Sequence, residues 1–191
     1  ILKIDISKVQ ETNNPKAYIY QLLKEFGFTA WNDITNLLTA QSGKEVVSKT
    51  HRLLKDRDFL ILSKKEKKNA KAAFFIDETI EEITNPIHLK ITTVSKIDDE
   101  NKSTICIDKN SLTFPLTLRK WQHGDFFYPK GMQGKKKVSK YFKDEKFSTI
   151  DKENTWLLCS ENNVIWIIGH RQDQRFSASE NASSILKIEI L

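Results

Sequence analysis

Leu2, Ile4 and Ile6 alternate with Lys3 and Asp5, the period-two pattern of a half-buried strand. Asn14-Pro15 then supplies a helix start, with asparagine at the cap and proline in the first turn. Ile19, Leu22, Leu23 and Phe26 follow at helical spacing, and Gly27 stops the helix. The spacing of Ile34, Leu37 and Leu38 predicts a shorter helix over Asp33 to Ala40. Two strand-like runs come next, around Val46–Leu54 and Phe59–Leu62, turned by Lys55-Asp56-Arg57. Lys64–Lys71 is basic and without periodicity, which predicts a linker. Beyond it alternation dominates: Ile87/Leu89/Ile91, then Leu112/Phe114/Leu116/Leu118, then Trp156–Ser160 and Val164–Gly169 as a hairpin closed by Glu161-Asn162-Asn163. Ile185–Leu191 predicts a terminal strand. One basic amphipathic helix interrupts this, Lys135–Lys146, with Val138, Tyr141 and Phe142 on one face. The fold class is α+β: a small helical/β N-terminal unit, 1–66, a linker, 67–72, and a β-rich layered α+β domain, 73–191.

The 191 residues, 39% hydrophobic and 29% charged with 6 Gly and 4 Pro, exclude a collagen-like or largely disordered chain. No apolar run reaches the ~18–20 residues of a membrane span, so no membrane partner is expected and the cytoplasm is the expected location. Cys106 and Cys159 lack metal-ligand spacing, and the four histidines are scattered, so no metal site is expected. The chain opens at Ile1 within a strand pattern, and Met132 is its one methionine; it reads as a piece of a longer protein.

Charge changes the picture through its distribution. Between Lys130 and Lys152 stand eight lysines against three acids, a surplus close to the +6 of the whole chain. Lys64, Lys65, Lys67, Lys68 and Lys71 surround a single Glu66, while Asp77–Glu82 and Asp98–Glu100 are acidic. On the basic helix Lys136, Lys140 and Lys143 share a face, and Lys135 and Lys137 sit beside them. Like charges at that spacing repel; a phosphate backbone relieves the repulsion and releases counterions. The competing reading is a solvated lysine face. Gly131 and Gly134 precede the helix, yet Pro129 and Lys136 occupy positions where a nucleotide P-loop needs Gly and Ser/Thr. Arg119 and Trp121 share the strand side opposite Leu116 and Leu118. Arg119 suits phosphate, and Trp121 suits either base stacking or packing on the helix. Asp125 is placed to orient Arg119 or cap a turn. Arg171 and Arg175 extend the basic surface or pair with Asp173. No general acid/base pair stands out, and no catalytic residue is assigned.

The run from Leu118-Arg119-Lys120-Trp121 through Gly124-Asp125 and Gly131-Met132-Gln133-Gly134-Lys135-Lys136-Lys137 to Tyr141-Phe142 resembles the C-terminal domain of bacterial tRNA(Ile)-lysidine synthetases. Ile165-Trp166-Ile167-Ile168-Gly169, Arg171, Asp173, Arg175 and Phe176 continue the likeness. In the first unit, Phe26-Gly27-Phe28, Gln41-Ser42-Gly43-Lys44 and Thr50 to Asp58 are similar to the segment preceding that domain. The resemblance implies a parent ligase that uses ATP, with Mg, to activate the wobble cytidine of an isoleucine tRNA and join lysine to it. Its ATP loop, Ser-Gly-Gly-x-Asp-Ser, lies in an N-terminal catalytic domain; this chain has no Gly-Gly pair, so it is expected to be inactive alone and to hold no cofactor. The implied role is gripping the tRNA acceptor stem, through Arg119, Trp121, Asp125, Lys135, Lys136, Lys137, Lys140, Lys143, Arg171 and Arg175. Many family members carry Arg after Gly-Asp, where this chain has Phe126. The alternative is an assembly module that docks the catalytic domain or a second copy as a homodimer; light scattering without RNA separates the two.

Overall fold

The computed structural model describes residues 1–65, 73–97 and 100–191. It divides into two compact units, Ile1–Asn69 and Ala70–Leu191. Lys64 closes a strand, so the expected linker does not begin there; the rest of it after Lys65 lies outside the described residues, as do Asp98 and Asp99.

In the smaller unit β1 (Leu2–Asp5) ends one residue before the predicted strand does. Asp5 turns its carboxylate onto the next segment, accepting from Ser7 N at 3.0 Å and Ser7 Oγ at 2.7 Å, and so caps a short helix, α1 (Ile6–Gln10). Asn14 accepts from Ala17 N at 3.1 Å to cap α2 (Pro15–Leu23). A 3-10 turn, Lys24–Phe26, follows and ends at Gly27, whose φ of 72° needs no Cβ to be accommodated. The next helix, α3 (Trp31–Leu37), starts two residues earlier than expected. The run expected as one strand over Val46–Leu54 is two, β2 (Glu45–Val47) and β3 (His51–Asp56). Between them Ser48 Oγ donates to Phe26 O at 2.8 Å and accepts from His51 N at 2.9 Å, which folds the backbone into a tight turn. Lys55 and Asp56 stay in β3, and β4 (Phe59–Lys64) returns beside it. The antiparallel sheet runs β1-β4-β3-β2, and Ile19, Leu23, Ile34, Leu53 and Leu60 are buried in its core.

The larger unit contains β5 (Phe74–Ile76), β6 (Glu82–Ile83), β7 (Leu89–Val94), β8 (Thr104–Asp108), β9 (Leu116–Lys120), β10 (Phe126–Phe127) and β11 (Lys136–Lys137). Two helices, α4 (Val138–Asp144) and α5 (Thr149–Asn154), precede β12 (Trp156–Ser160), β13 (Asn163–Ile167), β14 (Arg171–Gln172) and β15 (Ile185–Ile190). A five-stranded sheet, β14-β13-β12-β9-β5, packs on a four-stranded one, β6-β7-β15-β8. Leu116, Leu118, Leu158 and Trp166 from the first meet Leu89, Ile107, Leu186 and Ile188 from the second. The first sheet's other face, through Leu157, Cys159, Val164 and Ile167, is covered by Phe127 of β10 and Val138, Tyr141 and Phe142 of α4. Helix, sheet and sheet form three layers, which is the α+β class the alternation predicts.

The basic helix is shorter than its sequence pattern. Lys136 and Lys137 pair with Phe127 and Phe126 as β11 against β10, so α4 starts at Val138. Lys146, at φ 56°, breaks the helix, and Ser148 with Asp151 builds a capping box that starts α5.

Candidate nucleic-acid interface

Val138, Tyr141 and Phe142 are buried beneath α4, and Phe142 stacks on Phe147 with centroids 4.7 Å apart. Burial of that face fixes the opposite one: Lys140 and Lys143, three residues apart, point outward and are exposed. Lys136 does not join them. It lies in β11 with its side chain only 15% exposed, its ammonium 2.8 Å from Asp144 Oδ2 and 5.7 Å from the Tyr141 ring centre. The expected row of Lys136, Lys140 and Lys143 is therefore corrected to a pair, because a strand residue has replaced a helical one. Lys136 holds the Asp144 carboxyl below the ordinary carboxylate value. Lys137, next along β11, is exposed, and so is Lys135, whose ammonium stands 3.5 Å over the Phe126 ring. Lys130 pairs with Glu100.

Arg119 and Asp125 meet as the sequence suggests, in a two-point bridge: Nη1 donates to Oδ2 at 2.8 Å and Nη2 to Oδ1 at 2.9 Å. Arg119 also donates to Lys120 O at 3.1 Å, and Asp125 accepts from Gln122 N at 2.6 Å. The bond to Asp125 raises the pKa of the half-buried guanidinium. This bridge braces the turn around Gly124, whose φ is 98°. Trp121 is half-buried and packs its ring edge-on against Phe142, centroids 5.6 Å apart. Beneath them burial pushes the Cys159 thiol up to about 12. Cys106 is buried too, so neither cysteine is expected to react with Ellman's reagent at pH 8 until denaturant is added. Release of a full equivalent from the native chain would contradict that burial.

Asp173 is wholly buried. It accepts from Tyr128 N at 2.9 Å, Arg175 N at 2.8 Å and Arg175 Nη2 at 2.8 Å. The guanidinium it holds lies 4.5 Å from the Tyr128 ring centre and 5.9 Å from that of Phe126. Phe126 thus gathers cations around the position where the family's arginine is expected. Arg171, the exposed residue of β14, donates to Lys130 O at 3.3 Å, and the Tyr141 hydroxyl, its pKa raised by burial, takes a hydrogen bond from it. Lys135, Lys137, Lys140, Lys143 and Arg171 are exposed cations; Arg119, Lys136 and Arg175 are held by carboxylates. The sequence marks Phe126 only as a departure from the family's arginine and gives Tyr128 no role; the structure places Lys135 over the Phe126 ring and Arg175 over that of Tyr128.

Residues 1–65 match the family model described as the TilS substrate binding domain, and residues 116–189 match the TilS substrate C-terminal domain. The chain belongs to the TilS family. It is 42% identical to the tRNA(Ile)-lysidine synthase of Parabacteroides distasonis, over 99% of this chain and 44% of that protein. The enzyme of the same name from Bacteroides thetaiotaomicron is 36% identical, over 98% and 43%. The chain thus spans less than half the length of these relatives. A crystal structure of a TILS C-terminal domain aligns with a TM-score of 0.51 at 16% identity, covering 62% of this chain and 98% of that one, which shows the shared fold. No helix among the described residues is long and apolar enough to cross a membrane.

Proposed function

We propose that the chain is the tRNA-binding, substrate-selecting part of a ligase that joins lysine to the wobble cytidine of an isoleucine tRNA in the cytoplasm. The observation that carries this reading is the placement of Lys140 and Lys143 on a short helix whose underside is fully packed, in a chain matching both TilS substrate domains. An acceptor stem is A-form, and its narrow major groove leaves phosphates, 2′-hydroxyls and shape as the features to grip. Ammonium groups on a rigid floor provide affinity, while Lys135, Lys137 and Arg171 beside them widen the contact.

ATP and Mg belong, in this reading, to the catalytic domain that precedes these residues in the parent protein. The residues present do not fit that cofactor: the Gly131–Gly134 segment leads into the two-residue strand β11, not into a helix whose N-terminus would face a phosphate. The chain's part is to hold the tRNA while bond-making occurs in the catalytic domain. Filter binding with isoleucine tRNA over about 50 to about 200 mM salt tests this. Log affinity is expected to fall linearly with log salt; absence of tRNA binding by the folded chain overturns the reading. Lysidine formed from ATP, lysine and tRNA by this chain alone would overturn its assignment as non-catalytic.

A further inference from the structure

The smaller unit carries a cleft of about 310 Å³ that the basic surface of the larger unit does not use. Tyr20 and Trp31 line it, their ring centroids 4.6 Å apart at an interplanar angle of 61°. Trp31 rests on the hydrophobic core, which fixes its ring, whereas Tyr20 is 44% exposed. Packing alone gives no reason to leave a tyrosine this open beside a tryptophan at a cleft wall. Lys16 and Tyr20 stand four residues apart on α2, about 6 Å along its axis, and Lys24 opens the 3-10 turn that follows, so an exposed lysine lies on either side of Tyr20 in the chain. Lys16 Nζ donates to the neutral amide oxygen of Asn32 at 3.5 Å, which leaves its charge uncancelled there. Asn14 and Gln21 add amides at the rim. Asn14 Oδ1 is occupied as the α2 cap, so its NH₂ remains as a donor, while Gln21 offers both a donor and an acceptor.

An aromatic wall, amide edges and flanking cations match the three parts of a nucleotide: a planar base, its hydrogen-bonding edge and its phosphates. A paired base is stacked inside a helix and presents no free face, so the occupant is an unpaired one. We propose that this cleft binds an unpaired RNA nucleobase, stacked on Tyr20 and Trp31 with Lys16 and Lys24 on the neighbouring phosphates. The proposal rests on the RNA-binding reading above and adds a second contact, on the other unit, that recognises single strands.

The test uses the full chain with Tyr20→Ala, Tyr20→Phe and the pair Lys16→Gln with Lys24→Gln, each checked by urea unfolding. The probes are a fluorescent single-stranded RNA hexamer, a blunt RNA duplex of similar charge, and isoleucine tRNA. Tyr20→Ala is expected to weaken hexamer binding about fivefold or more, the lower end of one base–aromatic stack, and duplex binding by less than twofold. Tyr20→Phe retains hexamer binding, since the ring and not the hydroxyl is used. The lysine pair lowers the salt slope for the hexamer. Unchanged hexamer binding by Tyr20→Ala, with tRNA still bound, overturns the nucleobase site and leaves the tRNA-binding reading standing. Equal losses for hexamer and duplex also overturn it, because a stack on an unpaired base distinguishes the two. A folded wild-type chain that binds none of the probes overturns both.

Discussion

Asp173→Asn is expected to destabilise the larger unit by about 3 kcal/mol, the cost of leaving buried donors facing a group that cannot accept from them. The native carboxylate, wholly buried, meets a donor on every side: Oδ1 accepts from Arg175 N and Nε, Oδ2 from Tyr128 N and Arg175 Nη2. Asparagine has nearly the same shape, so the cavity does not change. One oxygen becomes an NH₂, however, and either orientation of the amide sets it against N–H groups already in place. Arg175→Ala is expected to cost less, about 1–2 kcal/mol, because the guanidinium is 35% exposed and water takes over part of its role. Urea unfolding with unchanged m-values reads both differences, and a double-mutant cycle reads their coupling. Asp173→Asn within about 0.5 kcal/mol of wild type would contradict the satisfied-carboxylate account. The expected loss extends beyond one side chain, since Tyr128 N ties β10, and thus the Phe126 ring under Lys135, to the segment after β14.

What the sequence discloses here is local. Asn14-Pro15 before an i, i+3, i+4 stripe and Gly27 after it write the start and stop of α2 into neighbouring residues. The β12–β13 hairpin is legible for the same reason, as are the Arg119–Asp125 and Asp173–Arg175 pairs, whose partners lie six and two residues apart. The larger unit's other strands are set by distant partners. Residues of β8 such as Cys106 are strand because Lys187, near the end of the chain, lies opposite. The β5 strand, Phe74–Ile76, is defined by its register with Leu116 to Leu118. The overextended basic helix has the same cause. Lys136 and Lys137 have helix-compatible side chains and a helical pattern downstream, yet their backbones bond to Phe126 and Phe127 across a glycine-turned loop. α5 is absent from the sequence-based expectation: Ser148 stands three residues before Asp151, a cap signature, but no apolar stripe follows to announce a helix. At the candidate interface, residue types were legible and orientations were not, because the inward turn of Lys136 depends on the β10–β11 pairing.

That orientation gives the second large expected effect. Lys140→Ala together with Lys143→Ala should lower the slope of log affinity against log salt for tRNA by about 1.8, since each neutralised duplex phosphate contributes about 0.9. Both side chains are exposed on the face opposite Val138, Tyr141 and Phe142, so their removal leaves the packing beneath α4 intact. Lys136→Ala is the matched comparison: one charge is lost from the same segment, but its ammonium bonds to Asp144 at 2.8 Å and is turned from solvent. Its salt slope should stay at the wild-type value. The effect of Lys136→Ala falls instead on acid stability. Asp144 is held below the ordinary carboxylate value by Lys136, so the pair's contribution is present above about pH 4 and fades as pH falls through the depressed value. The variant should lose that dependence, visible as smaller differences in unfolding midpoint between neutral and acid buffer. Filter binding of the three proteins to one tRNA across a salt series decides the assignment. A slope reduced as much by Lys136→Ala as by the double change would mean that the Lys136–Asp144 pair opens to reach RNA. A double variant with the wild-type slope would place α4 away from the phosphate backbone altogether.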